Sequence, residues 1–285
     1  MRWRGREQSK NVDDRRGVGG PAVVGGGIGL IIMAIIYGLL GGNAQQFMEN
    51  QQQQQQQVAT RGATNGELSP AEKERGDFAK VILKDTEDVW TELFRTQLNR
   101  EYSKPRMQLF SGTTRSACGG ASAESGPFYC PADETIYLDT TFFLQLSGKL
   151  GAPGDFAQAY VIAHEVAHHV QKQLGYTDIV ERVRRTRSKT VANEASVRLE
   201  LQADFLAGCM LHHLQKKKQV LEEGDVEEGL RAAAAIGDDR LSGGRAPKES
   251  FTHGTSEQRL RWFMKGLQTG DLAQGETFKL DASDL

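Results

Sequence analysis

Apolar positions along the 285-residue chain fall into three successive patterns. Residues 21–41 form an unbroken run rich in Val, Ile, Leu and Gly. As a helix, such a run covers roughly 30 Å, the thickness of a hydrocarbon core. Secretory signal cores are shorter, about 7–15 residues, so the expectation is an uncleaved transmembrane helix over residues 18–42. Residues 43–68 lose most of the apolar signal and carry glutamine at every position from 51 to 57. A stretch this polar buries too little to offset its ordering entropy and reads as a disordered linker. From residue 69 the pattern becomes periodic, which places a folded domain over residues 69–285.

Within that domain, Ser69-Pro70-Ala71-Glu72 sets Ser at an N-cap, Pro at the first helical position and Glu at the third. Phe78, Val81, Ile82, Val89 and Leu93 follow at helical spacing and predict a helix to about residue 97. Residues 106–110 and 134–139 are rich in β-formers between turn residues and predict two strands. The remainder predicts helices over about 154–173, 178–214, 216–236 and 256–268, with residues 237–252 as a long surface loop. Gly175 suits the end of the first, and Thr255-Ser256-Glu257-Gln258 has capping-box spacing at the start of the last. The fold class is α+β, mostly α, with a small sheet.

Charge adds a topology. The chain has 35 basic and 37 acidic side chains, so no overall basic field points to nucleic acid. Residues 1–17 differ: Arg2, Arg4, Arg6, Lys10, Arg15 and Arg16 face only Glu7, Asp13 and Asp14. No charge follows until Glu49, and no basic residue until Arg61. The positive-inside rule then makes residues 1–17 a basic cytoplasmic N-terminus. The domain would lie on the periplasmic or extracellular side of a bacterial cytoplasmic membrane. Gly25 and Gly29 have the spacing that lets two spans approach, a route to a homo-oligomer. Outside the cytoplasm Cys118 and Cys130 are expected to form a disulfide, worth about 3 kcal/mol in the loop-entropy picture. Cys209 sits in an apolar helical stretch and reads as a buried free thiol.

The chemistry centres on His164-Glu165-Val166-Ala167-His168. Residues four apart share a helix face, so both imidazoles can point at one metal. Glu165 is rotated about 100° away and can stand beside a metal-activated water as general base. A catalytic zinc takes three protein ligands and keeps a fourth position open. Glu200-Leu201-Gln202-Ala203-Asp204 supplies the third as Glu200, with Asp204 on the same face to hold the far nitrogen of a zinc histidine. Glu181 and Glu194 are the rival ligands, in an Arg-rich segment that reads as a solvated face. His253 precedes a helix start. There an oxyanion donor and an exposed loop histidine are equally consistent with the residues alone. His169 reads as structural or as a support behind the metal ligands, and His212 and His213 as solvent-facing. The cofactor expected is one Zn2+ per chain.

Several segments together resemble one family. They are Gly126-Pro127-Phe128-Tyr129-Cys130-Pro131-Ala132-Asp133 with the following Ile136-Tyr137-Leu138-Asp139, His164 to His169, Glu200 to Asp204, Gly237-Asp238-Asp239-Arg240-Leu241, and His253 to Arg259. In this order, behind a Gly-rich span, they resemble the bacterial neutral zinc metallopeptidases over nearly the full length. The resemblance implies a zincin-like fold of gluzincin type, with zinc on His164, His168 and Glu200, Glu165 as base, and Asp204 behind a ligand. It implies that His253 stabilises the attacked carbonyl oxygen. It also implies that the strand at residues 134–139 receives an extended peptide by strand addition. Relatives often carry Cys where this chain has Phe205, which touches packing rather than ligands. The function expected is zinc-dependent hydrolysis of peptide bonds in envelope or extracytoplasmic proteins. The rivals are a catalytically inactive membrane-anchored scaffold of the same fold, and a hydrolase of non-peptide amides.

Overall fold

The structure is a computed structural model that describes residues 1–17, 67–122 and 126–285. The span expected over residues 18–42, its Gly25 and Gly29, and residues 43–66 of the expected linker lie outside the described residues. Among those described, no helix is long and apolar enough to cross a membrane.

A mixed sheet lies against a helical layer. Its strands are β1 (Val12–Asp14), β2 (Arg106–Phe110), β5 (Phe128–Cys130) and β6 (Thr135–Asp139), in the order β1-β2-β6-β5. β1, β2 and β6 run parallel, and β5 runs antiparallel to β6. Side chains alternate across the sheet as a pleat requires. Met107, Leu109, Ile136 and Leu138 face the main core, while Phe110, Cys130 and Tyr137 form a small cluster on the other side. A hairpin of β3 (Thr113–Ser116) and β4 (Gly119–Ser122) stands beside the sheet. Cys118 in its turn bonds to Cys130 in β5, so the expected disulfide is present.

Helix α1 (Pro70–Thr96) begins at Ser69 with a complete capping box, as its sequence predicts. The short α2 (Phe142–Gly148) follows β6, and α3 (Asp155–Leu174) then runs through the middle of the core. It ends on Gly175, whose left-handed φ of 87° a side chain would resist. The helix expected over residues 178–214 is two: α4 (Tyr176–Thr186) and α5 (Lys189–Lys218). The break has a local cause, because Ser188 is extended and its side chain accepts the Val191 N–H as an N-cap. Similarly, α6 starts only at Asp225 (Asp225–Ala235), and the expected loop contains the short α7 (Asp238–Leu241).

Helix α8 (Ser256–Thr269) crosses α5 at two glycines. A Cβ on Gly208 would lie 2.2 Å from the Phe263 carbonyl oxygen, and one on Gly266 would lie 2.0 Å from that of Phe205. Only hydrogen at both positions lets the backbones meet. His212 and His213, expected in solvent, instead bond the carbonyls of Leu267 and Gly270 at the end of α8.

Residues 1–17, expected as a head apart from the domain, pack on it. β1 pairs with β2 along the sheet edge, Trp3 meets Phe78 of α1 edge-on, and Met1 and Trp3 join the main core. The domain therefore includes this segment, and its first element is β1 rather than α1.

Candidate metal centre

Two neighbouring helices build the site. His164, Glu165 and His168 come from α3, and Glu200 and Asp204 from α5. The i, i+4 spacing stacks both imidazoles on one face, with ring centres 4.8 Å apart. Each ring is held by its Nδ1. His164 Nδ1 lies 2.9 Å from Asp204 Oδ1, and His168 Nδ1 lies 2.9 Å from Gln171 Oε1. Both Nε2 atoms therefore face the Glu200 carboxylate, at 3.2 Å from His164 and 3.5 Å from His168. One donor atom from each of these three residues lies within 4.8 Å of the others. Two histidines fixed as Nε2 donors and one carboxylate are the donor set of an open zinc site, so these residues fit that ion. Glu181 and Glu194 stay outside; Glu194 pairs with Arg198 on the surface. A second acidic group, Asp155 with Asp225, faces the Met1 amino group.

Behind the ligands lies a charged layer that the sequence reading did not assign. Arg259 of α8 is buried and grips Asp204 with two hydrogen bonds, from Nε and Nη2, both 2.9 Å. The Tyr160 hydroxyl donates to the same carboxylate at 2.5 Å. The glycine crossing of α5 and α8 lets this arginine reach Asp204. Burial pushes the Asp204 carboxyl up, but the Arg259 guanidinium and His164 outweigh it and hold it below its ordinary value. Burial lowers the His164 imidazole, but the Asp204 and Glu200 carboxylates prevail and raise it to about 9. His168, held by a neutral amide, goes the other way: burial lowers it to about 4. Gln171 is itself fixed, donating to Leu199 O at 2.7 Å and to Gln202 Oε1 at 3.0 Å.

Glu165 is buried beside the ligands. Burial raises its carboxyl to about 7, and the Tyr129 backbone N–H works against that rise. Tyr129 belongs to β5, and its hydroxyl bonds His169 Nδ1 at 2.9 Å, while His169 Nε2 meets Ser103 O at 2.7 Å. His169 thus ties α3 to the edge strand. That edge is β5, which corrects the strand assignment: β6 is flanked by β2 and β5 and has no free side for a peptide. Pro127 and Pro131 flank β5 and supply no N–H, which leaves Tyr129 to offer one toward the cleft.

A cleft of about 520 Å³ opens over these groups, with Phe128, Val161, Leu199 and Leu241 among its walls. His253 reaches it from the far side, half exposed. Asp238 holds that loop, accepting the backbone N–H of Thr252, His253 and Gly254 at 2.8, 2.6 and 3.1 Å and facing His253 Nδ1 at 3.2 Å. The Asp238 hydrogen bond raises the His253 imidazole against the effect of burial.

Signals for the missed residues were present. Arg259 and Asp238 lie inside the segments that carried the family resemblance. Tyr160 and Gln171 sit four before His164 and three after His168, on the ligand face of α3.

A family model described as "Putative neutral zinc metallopeptidase" matches residues 1–278. The uncharacterized protein YpfJ of Escherichia coli (strain K12) is 46% identical over 291 residues, covering 98% of this chain and 99% of its own. The uncharacterized protein Rv2575 of Mycobacterium tuberculosis (strain ATCC 25618 / H37Rv) is 43% identical over 197 residues, 65% of each chain. No solved structure matches the chain.

Proposed function

The chain belongs to this family of neutral zinc metallopeptidases, and from that premise we propose that it hydrolyses peptide bonds in protein or peptide substrates at the His164, His168 and Glu200 centre. The observation that carries the reading is the fixed pair of Nε2 donors converging with Glu200, beside a buried carboxyl that is no ligand. A structural zinc has no use for such a carboxyl, and a hydrolytic one does.

Zinc at this centre would polarise the scissile carbonyl and acidify a water. Glu165 takes the proton of the attacking water and passes it to the leaving amine. Its place beside the three donors, buried and outside the ligand set, suits it to both steps. His253 donates a hydrogen bond to the carbonyl oxygen as charge grows there, with Asp238 fixing its ring. The substrate lies extended along the β5 edge, and its side chains enter the apolar walls of the cleft.

The test is metal analysis of the full chain paired with cleavage of a peptide library. Wild type is expected to hold zinc and cut peptides. Glu200→Ala is expected to lose zinc and activity together. A Glu200→Ala protein that cleaved like wild type would sink the assignment.

A further inference from the structure

Helix α1 buries two carboxylates, Asp85 at 1% and Glu87 at 2% exposure. A buried carboxylate without partners is costly. Much of the pairing here comes from residues 1–17. Arg6 pairs with Asp85, which also meets Lys218. The Ser9 hydroxyl donates to Glu87 at 2.5 Å and the Asn11 amide at 2.8 Å.

Gly76, in the second turn of α1, has the same explanation. A mid-helix glycine costs about 1 kcal/mol against alanine. A Cβ here would lie 1.9 Å from Arg16 Nη2, so the glycine opens a seat for that guanidinium. Arg16 is buried there, bonded twice to Asp14 at 2.7 and 2.8 Å and once to Glu72 O at 2.6 Å. The backbone completes the fit: Met107 N–H donates to Asn11 O at 2.9 Å and Arg15 N–H to Leu109 O at 2.8 Å. The helix and the sheet edge are shaped for this segment.

We propose that residues 1–17 are a permanent strand of the peptidase domain, so that β1 and the metal helix α3 lie on the same side of any membrane. The basic residues read as a topology signal are instead counter-ions and seats within the domain. A chain that crossed a bilayer once between residues 17 and 67 would put β1 and β2 on opposite faces. Two strands cannot pair across roughly 30 Å of hydrocarbon. β1 also covers the β2 edge, so among the described residues the edge strands are β1 and β5, and β5 is the one that borders the metal centre.

Two variants of the full chain, each with one added cysteine, test this: Lys10→Cys in the N-terminal segment and Lys189→Cys at the start of α5, both exposed positions. The native cysteines add little background, being disulfide-bonded or buried. Intact cells are treated with a membrane-impermeant maleimide, and permeabilised cells give full labelling as the reference. The two sites are expected to match, both labelled or both protected. Labelling of one and protection of the other overturns the proposal.

Discussion

Residues 1–17 and residues 164–168 both carry strong sequence signals, and the two signals differ in kind. The His164-to-His168 spacing is a local fact: any helix carrying it places two imidazoles on one face. The basic excess of residues 1–17 is a balance, and its meaning depends on acids far along the chain. Arg6 meets Asp85, Arg4 meets Glu74, and Lys84 meets Glu7. A motif whose geometry is set within one turn of helix survives folding unchanged. A charge count does not, because folding supplies the partners.

That contrast can be broken most forcefully at the charged layer behind the metal centre. Asp204→Ala leaves Arg259 buried without its carboxylate, and breaking such a pair costs about 3–5 kcal/mol. Chemical denaturation should show that loss, with Asp204→Asn milder because it keeps the shape. A loss under about 1 kcal/mol would mean the ion pair does not support the site.

Gln171→Leu is the next step down. It frees the His168 ring without removing a charge. Metal affinity is expected to fall roughly 10- to 100-fold, as for other partners of ligand histidines, with little change in melting temperature. Competition with a zinc indicator reads this directly, and unchanged affinity would show that His168 needs no such support.

Gly76→Val carries the contrast to the other region. It fills the seat of Arg16 and is expected to destabilise the domain by about 1–3 kcal/mol, in the range of overpacked cores. Zinc affinity of the folded protein should hardly move. If affinity fell as for Gln171→Leu, the two regions would be one cooperative site, and the comparison would fail.

The long periodic helices were legible from the sequence, and so was the convergence of His164, His168 and Glu200 into a group that could hold a metal. Capping residues such as Ser69 and Thr255 mark their helices locally. What escaped were elements that exist only through distant partners. β1 and β5 are three residues each and become strands by pairing with β2 and β6. The strand at residues 134–139, expected to receive a peptide, is flanked on both sides, since strand order is a tertiary property. Arg259 becomes a partner of Asp204 only where α8 meets α5 at Gly208 and Gly266. The break at Ser188 is local, an N-cap serine set inside an otherwise helical pattern.

The central claim is that Glu165 works on a water beside a metal it does not bind. Glu165→Gln tests it most directly, with zinc stoichiometry and peptide cleavage measured on the same preparation. The account predicts wild-type zinc content and a loss of kcat of roughly 10²- to 10⁴-fold, the contribution of a general base. A variant that held zinc and cleaved peptides at the wild-type rate would contradict it.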